Sequence, residues 1–146
     1  MSHAMLRFVV LSCVSWLAIA ATVNAQTPRT IEKGDQSNID AAKQVVVRDA
    51  AAWRALWQQH SPDRPMPAVD FSKESVVAVF LGSKPTAGYN VTILSTTEGG
   101  GALVVKYREE RPKPGMVSAQ VLTFPYHIVA IPKVTATNVT FEKAEP

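Results

Sequence analysis

Ser75-Val-Val-Ala-Val-Phe-Leu-Gly-Ser-Lys-Pro-Thr-Ala-Gly-Tyr-Asn-Val-Thr-Ile93 joins two kinds of strand through one tight loop. Ser75 to Leu81 is apolar almost without interruption and ends at Gly82, which predicts a buried central strand. Tyr89, Val91 and Ile93 alternate with Asn90 and Thr92, the period of a half-exposed strand. Between them Gly82 frees the chain to turn, Pro85 fixes φ, and Gly88 can adopt φ > 0, where a Cβ is penalised. A β-sheet is therefore the framework of this chain.

Downstream, Gly99-Gly-Gly101 is a turn, and Leu103, Val105 and Tyr107 alternate with Val104, Lys106 and Arg108 in the next strand. Arg111-Pro-Lys-Pro-Gly115 is a rigid loop. Val117–Leu122 and Tyr126–Ile131 are predicted strands, and Val139–Phe141 closes the sheet. Hairpin-like spacings make the pairing mainly antiparallel. Upstream, Gln44–Arg48 is a short β-branched strand, and Asp49 offers an N-cap carboxylate to a helix. Over Ala50–His60, Trp53, Leu56, Trp57 and His60 recur at helical spacing and form one apolar stripe. Ser61–Pro67 cannot continue that helix. The expected fold class is α+β: a mainly antiparallel sheet of about six or seven strands, with one amphipathic helix near the mature N-terminus packed on it.

The chain has 146 residues, enough for one domain. Its start, Met1–Arg7, carries one positive charge and leads into the uncharged run Phe8–Ala21, followed by Val23-Asn24-Ala25. That is the pattern of a cleavable secretory signal over residues 1–25. The 14-residue run is too short to span a bilayer, which takes roughly 20 residues. Residues 26–43 read as a flexible lead-in with one early strand near Asn38–Ala41, and residues 44–146 as a single domain. Cleavage would remove Arg7 and the only cysteine, Cys13, leaving 14 basic against 12 acidic residues. That surplus has no Lys/Arg run, which argues against nucleic acid as a partner. The loss of Cys13 excludes disulfides and a thiolate nucleophile from the mature chain. The expected location is the periplasm or the exterior, with no stable membrane insertion after cleavage.

Two loops are candidate partner-binding segments. The first presents Lys84, Pro85, Thr86, Gly88 and Tyr89; the bland alternative is a well-made turn with Thr86 satisfying backbone groups. The second presents Arg111, Pro112 and Lys113, where proline lowers the ordering cost of binding; the bland alternative is a solvated charged loop. After cleavage only His60 and His127 remain of the histidines. His60 falls on the helix stripe and His127 at a strand start, and neither has a zinc-ligand spacing. There is no GxSxG elbow and no phosphate loop. The residues point to a protein that is not an enzyme and needs no cofactor.

Ser75 through Pro132 resembles the PrcB C-terminal domain family. The resemblance rests on Val76–Tyr89, Val91-Thr-Ile93, Leu103–Tyr107, the Pro-rich Arg111–Gly115, and Gln120–His127 leading to Ile131-Pro132. The usual loop reads KPTGGY; here Ala87 replaces its first glycine and Gly88 is kept. The resemblance implies an exported accessory protein that assists or stabilises a protease or envelope complex. Pro85-Thr-Ala-Gly-Tyr89 with a later Arg-Pro loop is also similar to chagasin-type protease inhibitors. Here, though, Lys84 stands for the expected Asn, and Arg111-Pro112 is followed by Lys113 rather than Trp. The reading of the whole is a non-catalytic accessory domain that binds a protein through rigid Gly/Pro loops. The alternatives are a loop-inserting protease inhibitor and a hydrolase with a dispersed site.

Overall fold

Along residues 24–145, which a computed structural model describes, nine elements follow one another. They are β1 (Asn24–Gln26), β2 (Arg29–Gly34), β3 (Lys43–Val47), α1 (Ala50–His60), β4 (Glu74–Phe80), β5 (Asn90–Gly99), β6 (Ala102–Glu110), β7 (Tyr126–Pro132) and β8 (Asn138–Ala144). The strands form two four-stranded sheets, ordered β2-β7-β4-β3 and β1-β5-β6-β8. All pairs are antiparallel except β6 with β8.

The uninterrupted apolar runs occupy the centre of the first sheet because both its faces are covered. Val77, Val79, Val129 and Ile131 pack against Val91, Ile93, Leu103, Val105 and Tyr107 of the second sheet. On the other face Val76, Ala78, Phe80, Tyr126 and Ile128 pack against Trp53, Leu56 and Trp57 of α1. A strand buried on two faces needs apolar residues at every position. The second sheet is covered on one face only, so β5 and β6 alternate.

The predicted helix forms with the predicted stripe: Trp53, Leu56, Trp57 and His60 are its buried residues. The Asp49 side chain accepts from the Ala52 N–H at 2.8 Å and caps its start. The connection after α1 supplies acceptors for both indoles: Trp53 Nε1–H donates to the Pro67 carbonyl and Trp57 Nε1–H to that of Arg64, each at 2.9 Å.

Three expectations are corrected. One sheet of six or seven strands becomes eight strands in two sheets, because a single helix covers only one face of β4 and β7. The stretch Val117–Leu122 is not a strand; its large apolar side chains face solvent, and only Thr123 and Phe124 beyond it make isolated bridges. The early strand is Arg29–Gly34 rather than 38–41, and it pairs with β7. After it Ser37 and Ile39 are buried, and the Asp40 carbonyl accepts from the Ser83 N–H. Of the expected signal, residues 1–23 lie outside the described residues, while Asn24 and Ala25 belong to β1 on the β5 edge. Among the described residues no helix is long and apolar enough to cross a membrane.

Candidate functional site

β4 ends at a turn that only glycine fits. Gly82 has φ +76°, and a Cβ there would lie 2.8 Å from the Ala42 nitrogen and 2.9 Å from the Asp40 oxygen. The chain then runs beside the segment that follows the Pro-rich loop. Lys84 and Thr123 exchange backbone hydrogen bonds at 2.8 and 3.0 Å, and the Ala87 N–H donates to the Ala119 carbonyl at 3.0 Å. The Thr123 hydroxyl donates to the Thr86 carbonyl at 2.9 Å. Gly88, with φ +98°, lies against Pro112: a Cβ on it would be 3.0 Å from the proline Cγ. The two candidate loops therefore meet at one end of the sandwich, and the glycine is what permits the approach.

Within this cluster Pro85, Gly88, Arg111 and Lys113 are exposed, while Lys84, Thr86, Tyr89 and Pro112 are half-buried. The Lys84 ammonium stands 5.5 Å from the centre of the Tyr89 ring, a cation–π pair that orders both side chains. The Thr86 hydroxyl donates to the neighbouring Ala87 carbonyl. Of the nearby carboxylates, Glu109 is engaged by Lys143 at 2.6 Å and Glu110 by Arg108 at 3.7 Å, while Glu145 lines a groove with Arg111 and Lys113 without pairing to either. Among the described residues Lys84, Arg111 and Lys113 have no carboxylate partner, so the loop end presents three unneutralised cations. A groove of about 540 Å³ runs between Gly88, Arg111, Pro112, Lys113 and Met116. Met116, Val117, Val121 and Leu122 border the same loops; the strand expected over Val117–Leu122 concealed them from a sequence reading. Their proximity to Pro residues and Gly115 was the available signal.

Among the described residues the two histidines, His60 and His127, make structural contacts. His127 is 4% exposed and bridges the sheets. Its Nδ1 accepts the Ile93 N–H at 2.8 Å beside the bulge between Ile93 and Ser95, and its Nε2 lies 2.8 Å from the Thr30 hydroxyl. Burial, with the Lys33 charge second, lowers its pKa to about 4. His60 is fully buried between Ser37 and Glu32: Nδ1 is 2.8 Å from the Ser37 hydroxyl and Nε2 3.0 Å from Glu32. Arg64 binds the other Glu32 oxygen.

Ser37, His60 and Glu32 have the residue types of a hydrolytic triad, and sequence order hid them. Ser37 is nevertheless only 3% exposed, and its hydroxyl oxygen also accepts the Ile39 N–H at 3.1 Å. The Tyr126 ring stands edge-on to the imidazole at 4.3 Å. Burial lowers the His60 pKa despite Glu32. Burial pushes Glu32 up, but Arg64 and His60 outweigh it and leave its pKa lowered. The set ties the segment after β2 to the end of α1.

Residues 75–132 match the family model described as PrcB C-terminal. The resemblance to the PrcB C-terminal family read from the sequence is borne out over that stretch, which runs from β4 through both loops to the end of β7; the similarity to chagasin-type inhibitors finds no such support. No match was found among curated proteins or among solved structures.

Proposed function

We propose, with residues 75–132 a PrcB C-terminal segment, that this chain is an exported, non-catalytic accessory domain that docks on a protein partner, a protease or another envelope protein. The docking surface is Lys84, Pro85, Thr86, Gly88 and Tyr89 together with Arg111, Pro112 and Lys113. One observation carries the reading: the Gly88–Pro112 contact joins the two loops beside three cations that have no carboxylate partner among the described residues. Segments already held by backbone bonds lose little conformational freedom on binding. Unneutralised cations steer an acidic surface toward them. An inhibitory insertion mode has less support, since position 84 is Lys and Lys113 follows Arg111-Pro112.

The experiment is crosslinking capture from a native envelope extract with the parent chain and a Lys84→Ala/Thr86→Ala variant. The partner, identified by mass spectrometry, should fall at least about tenfold in the variant. The melting temperature should stay within about 3 °C, because neither side chain fills the core. Equal capture by both chains would assign the loop to architecture alone.

A further inference from the structure

Met116–Leu122 breaks the usual rule for a surface segment. Met116 is 65% exposed, Val117 102%, Val121 51% and Leu122 60%. Four large aliphatic side chains within seven residues are held in water. They are held there by the scaffold: the Ala119 carbonyl accepts from Ala87 N–H, Met116 N–H donates to the Lys113 carbonyl, and buried Thr123 anchors the far end. Arg111 and Lys113, without carboxylate partners among the described residues, stand just before the apolar stretch.

The chemistry of this segment separates two kinds of ligand. Protein hot spots favour Trp, Tyr and Arg that fill recesses, and Leu and Val are under-represented in them. A bilayer surface accepts projecting aliphatic side chains without a matching recess, and its anionic headgroups attract cations lying behind them. Val117, as exposed as a residue in a free peptide, fits the second description. We propose that Met116–Leu122 is a shallow membrane-surface contact that inserts Met116, Val117, Val121 and Leu122 among the headgroups of an anionic phospholipid bilayer, with Arg111 and Lys113 paired to lipid phosphates. The contact is peripheral; it shares Arg111 and Lys113 with the proposed docking surface and leaves Lys84–Tyr89 for a protein partner. It does not depend on that partner.

Vesicle flotation tests it, with the purified exported chain and its Val117→Asp/Leu122→Asp variant. Vesicles of phosphatidylcholine alone are compared with vesicles holding about 30% phosphatidylglycerol. The parent should float with the anionic vesicles, and binding should weaken with added salt. The variant should lose at least about tenfold in partitioning, since two carboxylates replace two apolar anchors. Its melting temperature should match the parent's, because both side chains already face solvent. Parent and variant share one N-terminus, so an apolar leader cannot produce the difference.

Failure of the parent to bind anionic vesicles, or equal binding by the variant, overturns the proposal. So does a variant that loses a captured protein while neither chain binds vesicles, which would give the patch to a protein. Lys84→Ala/Thr86→Ala losing its partner while still floating would support both readings, with Arg111 and Lys113 common to the two surfaces.

Discussion

Acidification should unfasten the two sheets at one residue, His127. In the folded chain its Nδ1 must stay unprotonated to accept the Ile93 N–H, and burial lowers its pKa to about 4 from the ordinary 6.5. Above pH 6.5 the imidazole is neutral folded or unfolded and its contribution to stability is complete. As pH falls below 6.5 the unfolded chain binds a proton that the folded chain refuses, so unfolding gains about 1.4 kcal/mol per pH unit. The loss should reach about 3 kcal/mol near pH 4, a large part of the stability of a small domain. Urea denaturation at several pH values between 7 and 4 measures it, with the parent chain beside His127→Gln. Glutamine can accept from Ile93 N–H and donate to Thr30 without titrating. His60, its pKa also lowered, adds a slope of the same sign to both proteins, so the difference between the two curves isolates His127. Parallel curves for parent and variant across that window would refute the role of the Ile93 bond.

Two further substitutions probe the site and its support. Gly88→Ala places a Cβ at φ +98° and 3.0 Å from Pro112, and should cost about 1–2 kcal/mol in thermal denaturation while parting the loops. Ser37→Ala removes the partner of His60 Nδ1 and of the Ile39 N–H, and should destabilise the chain by about 1–3 kcal/mol in urea with no effect on vesicle or partner binding.

Helix α1, the buried strand β4 and the alternating strands β5 and β6 were legible from residue order because each is written in local periodicity. Trp53, Leu56, Trp57 and His60 mark one helical face wherever the helix is placed. The loop Gly82–Tyr89 was legible too, since glycine and proline act on their own φ angles. The bridge through His127 and the Ser37–His60–Glu32 set had no local signal. Each joins residues tens of positions apart, and which atoms meet depends on how the layers stack.

The segment Val117–Leu122 shows where local pattern misleads. β-branched and aliphatic residues predict a strand, yet a strand needs a neighbour with free backbone groups along its whole length. Here Thr123 pairs with Lys84, and within the stretch before it the Ala119 carbonyl accepts from Ala87 without forming a ladder. Periodicity along the chain thus sufficed for the helix and the central strands, since those are properties of neighbouring residues. The split into two sheets, the meeting of Gly88 with Pro112 and the exposure of Met116–Leu122 were decided by packing. They follow from which apolar faces find cover, and that depends on long-range contacts no short stretch of residues encodes.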